Sequence, residues 1–293
     1  MHSPITVLLT GAAGQLGRAL EARVPEAVDL YSMDREALDI TDREAVFEAV
    51  DEIQPTWLIN AAAYTHVDRA ETEAEQAFRV NADGAAYLAQ AAASVGTRMV
   101  QVSTDFVFDG EKSSPYKTDD APNPINVYGE SKLAGEQRVQ EVLGEKALIV
   151  RTAWLYGADG NNFVHTMLRL MHERDEVQVV DDQIGTPTGA DSLAGGIWAA
   201  IERKPTGIHH WTDAGVASWY DFAVAIREEA RSCGMLEHPA EVVPVPSSAY
   251  STAAKRPSYS VLDKNLTWCA LETTSCHWWT SLRKVMSLLR SSR

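Results

Sequence analysis

"ITVLLTGAAGQLGRAL", residues 5 to 20, runs from six uncharged residues into a turn with glycine at 11, 14 and 17, and then into a helical pattern. Apolar strand, glycine turn and helix in that order are what a parallel α/β unit needs at a ligand-binding edge. Glycine permits the tight turn, lets backbone approach a pyrophosphate and allows the helix to pack closely on the strand, while the helix start offers free N–H groups to an anion. Gly11, Gly14, Gln15, Leu16 and Gly17 are therefore candidate cofactor-binding residues.

Outward from this stretch, "VDLYSMD", "TWLINAAA", "RMVQVSTD" and "ALIVRTAWLYG" read as further strands, with helices near 15–24, 41–53, 70–95 and 128–143 between them. Strands apolar on both faces and separated by helices indicate a parallel sheet covered on both sides, a doubly wound, Rossmann-like α/β domain. Beyond Gly157 the texture changes to mixed helices, the polar turn "DDQIGTPTG" and Pro-rich pieces such as "VVPVPSSAYSTAAKRPSYS". This divides the chain into a domain over 1–157 and a smaller α+β lobe over 158–293, with a helix at 189–203 assignable to either. The Trp-rich end, "TWCALETTSCHWWTSLRKVMSLL", reads as a closing amphipathic helix with buried indoles.

The 293 residues carry 26 Lys and Arg against 41 Asp and Glu, a net charge of −15, which excludes nucleic acid and anionic membranes as general partners. Any phosphate must be held by a local site. Cys233, Cys269 and Cys276 form no C-x-x-C pair, so neither a disulfide framework nor a zinc site is expected. His66, His165 and the His209-His210 pair likewise lack metal-ligand spacing. No apolar run approaches the roughly 20 residues that cross a bilayer, and the first strand starts without a basic leader; a cytoplasmic protein is expected.

The second strand ends at Asp34 and Arg35. An Asp here accepts from an adenosine ribose 2′-hydroxyl, whereas an Arg pairs with a 2′-phosphate, so NADH, NADPH or both fit. Asp39 and Ile40 precede a helix whose expected N-cap is Thr41, with Glu44 completing a capping box and Asp39 left to face the adenine. Ala61, Ala62 and Ala63 leave room for a flat cofactor across the strand ends. Ser103, Thr104 and Asp105 end the fourth strand at the edge where doubly wound folds bind ligands. Tyr128 and Lys132 stand one helical turn apart on one face. An ammonium beside a phenol lowers its pKa and also reaches a nicotinamide ribose, making Tyr128 a general acid, with the strand hydroxyl giving a second hydrogen bond to a substrate carbonyl.

"TGAAGQLG", "NAAA", "STD" and "YGESK" resemble the extended short-chain dehydrogenase/reductase superfamily. In order along nearly the whole chain, "NAAAYTHVDRAE", "STDFVFDG", "NVYGESKLAGE", "RTAWLYG", "GNNFVHTML", "DDQIGTPTGA" and "KRP" resemble its dTDP-4-dehydrorhamnose reductase family. The resemblance implies NAD(P)H-dependent reduction of the C4 ketone of dTDP-6-deoxy-L-lyxo-4-hexulose to dTDP-L-rhamnose. It implies that Thr104 polarises the ketone, Tyr128 donates the proton and Lys132 tunes Tyr128 while binding cofactor ribose. Asp105 and Trp154 match sugar-binding positions, and Phe106 replaces a tyrosine of some relatives. In the smaller lobe Asn162, Gln183 and Arg256 are the candidate nucleotide-sugar contacts, although a helix-cap role would explain Asn162 and a salt bridge Arg256. Some relatives dimerise through Mg²⁺ held by glutamates; the matching residues are Ala19 and Asp191, so a monomer or a metal-independent dimer is expected, with Mg²⁺ confined to other roles such as the substrate diphosphate. Two other readings are a regulatory subunit resembling the β-subunit of methionine adenosyltransferase, and another nucleotide-sugar enzyme such as an epimerase or dehydratase.

Overall fold

The computed structural model describes residues 5–291. Twelve strands and eleven α-helices are formed there. The strands are β1 Ile5–Thr10, β2 Val28–Met33, β3 Trp57–Asn60, β4 Arg98–Thr104, β5 Ala147–Thr152, β6 Leu155–Tyr156, β7 Glu176–Val180, β8 Ile184–Gly185, β9 Thr188–Gly189, β10 Gly207–His210, β11 Ala217–Ser218 and β12 Glu241–Val245. The helices are α1 Gln15–Glu21, α2 Arg43–Ile53, α3 Val67–Ala70, α4 Ala74–Phe78, α5 Ala85–Val95, α6 Val127–Leu143, α7 Phe163–Glu173, α8 Ala190–Arg203, α9 Trp219–Ser232, α10 Asn265–Leu271 and α11 Trp278–Ser291.

Six strands form one parallel sheet in the order β10-β5-β4-β3-β1-β2. Successive side chains of a strand point to opposite faces. Val7 and Leu9 accordingly join a core with Leu20 of α1 and Leu193, Ile197 and Trp198 of α8. Leu8, between them, faces a second core with Val46 of α2, Leu88 of α5 and Val139 of α6. Helices on both faces bury the sheet, which is why its strands need apolar residues at every position. The helix at 190–203 packs on α1, and β10 forms the sheet's far edge, so residues 190–210 build part of the large unit. A third core gathers Tyr156, Met171, Phe222, Trp278 and Leu282, and this smaller lobe carries the parallel β7–β12 pair. Trp278 starts α11 and is buried, as expected of the Trp-rich end.

Two local expectations change. Asp42, not Thr41, caps α2, accepting from the N–H groups of Glu44 and Ala45. A turn closed by the Asp42 N–H on the Asp39 carbonyl delays the helix, and Thr41 instead bonds the Asp39 carboxylate. The single helix expected over 70–95 is broken into α3, α4, a π-helical turn at Arg79–Gly84, and α5.

Candidate active site

Strand order creates the crevice. The chain leaves β1 for β2 on one side and β3 on the other, and ligands of doubly wound folds sit outside strand ends at such a reversal. Buried side chains lock these ends in register: Thr10 donates to Asn60 at 2.8 Å and Asn60 to Gln101 at 2.8 Å, crossing β1, β3 and β4. Gly11 sits at φ +73°, and a Cβ there would lie 2.5 Å from the Ala62 nitrogen; at Gly17 it would lie 2.4 Å from the Ala12 carbonyl oxygen. Any side chain would push the turn off β3 or α1 off the turn.

A cavity of about 650 Å³ opens there, lined by Gly11, Gly14, Arg35, Asp39, Ile40, Ala61, Ala62 and Ala63 among others. Eight candidate cofactor residues thus share one space. The remaining ones stand elsewhere. Leu16 and Gly17 are buried beneath the turn, Leu16 in the core. Gln15 accepts from Asn162 at 2.9 Å. Asp34 caps the turn after β2, accepting from the N–H groups of Glu36 and Ala37, and lines a smaller adjoining recess with Arg18 and Ser32. Asp39 lines the cavity with one oxygen taking both Thr41 donors and the other 3.7 Å from Arg35. Tyr64, Arg69 and Glu73 also line the cavity, with Tyr64 donating to Glu73 at 2.6 Å and Arg69 pairing with Glu73. No charge or spacing signal had singled them out.

In the sheet β4 lies between β3, which leads into this cavity, and β5, which leads to Trp154. At its end the Thr104 hydroxyl donates to Asp105 Oδ1 at 3.1 Å, accepts from the Phe106 N–H at 3.2 Å, and faces the Tyr128 phenol. Asn126 caps α6, accepting from Gly129 N–H at 2.8 Å, which places Tyr128 in the first turn of that helix. Phe106 packs edge-on against Tyr128 with ring centres 5.6 Å apart.

Burial pushes the Tyr128 phenol up to about 12, with Asp105 adding to the rise and Thr104 opposing it. Burial also raises Asp105 to about 6, against the lowering effect of the Ser260 and Thr104 hydroxyls. Lys132 goes the other way, to about 8, because burial penalises its ammonium more than Glu136 one turn later supports it. The expected depression of the phenol by Lys132 is not what the geometry gives. Lys132 Nζ donates to the Val102 carbonyl at 2.7 Å, since α6 lies against β4 and that buried carbonyl is within reach. A phenol held high is fully protonated at neutral pH, the state a proton donor requires.

Between the lobes a second cavity of about 650 Å³ is lined by Gln183, Arg256, Asp68, Phe163, Trp219 and Tyr250, among others. Gln183 and Arg256 therefore share one space. Trp154, at φ +47°, is not on its surface but backs it, stacked on Trp219 with centroids 3.6 Å apart. Asn162 caps α7, accepting from Val164 and His165 N–H and donating to Gln15 and to the Gly157 carbonyl, so its polar atoms are committed to the protein. Arg256 forms a two-bond pair with Asp68. Trp219 and Asp68 escaped the sequence reading, although the indole at the start of an amphipathic helix and the acid within "THVDRAE" were visible signals. At the far side of α1, both oxygens of Asp191 pair with Arg23.

Comparison with known proteins agrees with this geometry. A family model described as RmlD substrate binding domain matches residues 5–291. The chain is 42% identical over 287 residues to the dTDP-4-dehydrorhamnose reductase of Aggregatibacter actinomycetemcomitans, covering 95% of this chain and 97% of that one. It is also 42% identical over 285 residues to the dTDP-4-keto-6-deoxy-D-glucose reductase of Streptomyces niveus, covering 97% of each. Among solved structures it resembles dTDP-4-dehydrorhamnose reductase from Bacillus anthracis in complex with NADP, with TM-score 0.92 and 40% identity over 97% of this chain and 99% of that chain.

Proposed function

The chain belongs to the dTDP-4-dehydrorhamnose reductase family, and we propose that it reduces the C4 ketone of dTDP-4-dehydro-6-deoxy-L-mannose to dTDP-L-rhamnose with NAD(P)H. The observation that carries the reading is the juxtaposition of the Thr104 and Tyr128 hydroxyls at the end of β4, the strand that neighbours the one leading into the cofactor cavity. A nicotinamide cofactor bound in that cavity supplies the hydride.

The chain's own residues do the rest. A ketone oxygen entering between Thr104 and Tyr128 accepts from both hydroxyls as negative charge develops. Tyr128 transfers its proton to that oxygen, and with a phenol near 12 the donor is loaded at every pH of physiological interest. Asp105 is not stranded when Thr104 turns to the substrate, because the Ser260 hydroxyl stands beside it. Its buried Oδ2 has no hydrogen-bond partner among the described residues and is an acceptor for a sugar hydroxyl. Lys132 keeps two N–H bonds beyond the one to Val102, enough to hold cofactor ribose. Gln183 and Arg256 hold the nucleotide end, Arg256 at the diphosphate, with Trp154 and Trp219 as the aromatic wall; Asn162 supports the wall by capping α7.

Both NADH and NADPH are accepted in this reading, with Arg35, which is exposed on the cavity rim, answering to the 2′-phosphate. No metal bridges two copies: Ala19 has no side-chain oxygen, and Asp191 is paired with Arg23. Among the described residues no helix is long and apolar enough to cross a membrane, and a cytoplasmic location remains part of the proposal. The test is Tyr128→Phe. Its kcat should fall by about 10² or more, the scale of a positioned general acid, with cofactor affinity nearly intact. Near-normal turnover would remove Tyr128 from its role.

A further inference from the structure

The geometry points to Asp68 as a positioning residue that sets the Arg256 guanidinium for the substrate diphosphate. This rests on the reading of Arg256 given above and concerns how that side chain is prepared. Asp68 lies in α3 of the large unit and Arg256 comes from the Pro-rich stretch of the smaller lobe; both line the cleft between them.

A guanidinium has five N–H bonds in a rigid plane. In Arg256, Nη1 donates to Asp68 Oδ1 at 3.1 Å and to the Ala254 carbonyl at 3.2 Å, which uses both its hydrogens. Nη2 donates to Asp68 Oδ2 at 2.7 Å, leaving one hydrogen. The unspent donors are then Nε–H and the second Nη2–H, which share one edge of the plane and form a fork suited to two phosphate oxygens. Asp68 takes the neighbouring Nη1–Nη2 edge and uses the other hydrogen of Nη2, so it orients the fork without competing for its donors. The arrangement lowers the Asp68 carboxyl below its usual range, chiefly through the Arg256 bonds, and keeps it charged at neutral pH.

The backbone around Arg256 is held both by Asp68 and from the start of α6. Ala254 N–H donates to Asp68 at 3.1 Å, Asn126 Nδ2 donates to the Lys255 carbonyl at 2.8 Å, and Glu71 accepts from Val127 N–H at 3.0 Å. Asn126 also caps α6, so the strap bearing Arg256 and the first turn bearing Tyr128 share one anchor. An Asn at 68 would still accept from Ala254 N–H and one Nη1 hydrogen, but would turn an NH₂ group toward Nη2.

The experiment uses the full chain and measures competitive inhibition by dTDP and by thymidine, which lacks the phosphates, alongside kcat, KM and NADPH affinity. Asp68→Asn should weaken dTDP about tenfold, on the scale of one misaligned charge-assisted bond, raise KM to match, and leave thymidine inhibition, kcat and NADPH affinity unchanged. Asp68→Glu should recover part of the loss. Arg256→Gln should weaken dTDP at least as much, and adding Asp68→Asn to it should cost nothing further. The inference is overturned if Asp68→Asn leaves dTDP inhibition unchanged, if it weakens dTDP and thymidine equally, or if the two substitutions add. If Arg256→Gln itself leaves dTDP inhibition unchanged, the diphosphate role of Arg256 fails and this inference falls with it.

Discussion

Lys132→Met should make the protein more stable at pH 7 while removing its activity. Lys132 is 4% exposed, and burial lowers its ammonium from the usual 10.5 to about 8. At about 1.4 kcal/mol for each tenfold, carrying that charge in the folded state costs about 3 kcal/mol. Methionine has a comparable unbranched stem and no charge to desolvate. It forfeits the bond to Val102, worth about 1 kcal/mol net, but the Val102 carbonyl keeps a second partner in the Gln101 amide at 3.1 Å. The balance at pH 7 is a gain of about 2 kcal/mol, bounded by the 3 kcal/mol of the charge cost. Below pH 8 both folded and unfolded wild-type chains hold the proton and the cost stands in full. Between about 8 and 10.5 the unfolded chain still holds it and the folded chain has released it, so wild type gains stability as pH rises. Urea unfolding of both proteins at pH 7 and pH 10 should therefore show the advantage of Lys132→Met shrinking toward zero. A variant less stable than wild type at pH 7, or a difference that ignores pH, would refute the reasoning. NADPH affinity should drop and turnover with it, because the ammonium proposed to hold the cofactor ribose is gone.

Arg35→Ala should weaken NADPH selectively by about 1–3 kcal/mol, the scale of a charge-assisted hydrogen bond, in a direct binding titration; equal loss for NADH would show that Arg35 does not read the 2′-phosphate. The mass in solution, followed by light scattering, should not respond to EDTA, because Asp191 is paired with Arg23 and Ala19 offers no ligand. A dimer that dissociates on chelation and re-forms with Mg²⁺ would contradict this.

The fold was legible because its evidence is local and periodic. Strands apolar on both faces and a glycine turn at Gly11 admit few architectures, and Thr104 and Tyr128 were found because their spacing reflects the end of one strand and the start of one helix. What escaped depended on contacts distant in sequence or on competition between neighbours. Thr41 and Asp42 both make good caps, and only the turn at Asp39 decides between them. Lys132 shares a helix face with Tyr128, but a carbonyl of β4 accepts its hydrogen bond, and helical spacing carries no record of that acceptor. Asp68 and Arg256 are 188 residues apart, and Trp154 and Trp219, 65 residues apart, meet only in the packed core of the smaller lobe. Asn162 was legible in both its possible roles, and the structure supplies the bonds of the cap.

The central claim is that hydride arrives at C4 of a dTDP-4-keto-6-deoxy sugar and that the proton on the new hydroxyl passes through Tyr128. The direct measurement is turnover of that sugar with NADPH deuterated at the transferring position, following loss of cofactor absorbance and locating deuterium in the product. Stoichiometric oxidation, one deuterium at C4 and a product identified as dTDP-L-rhamnose are the result predicted. Absence of net cofactor oxidation, an epimerised sugar without deuterium, or a different C4 configuration would contradict it.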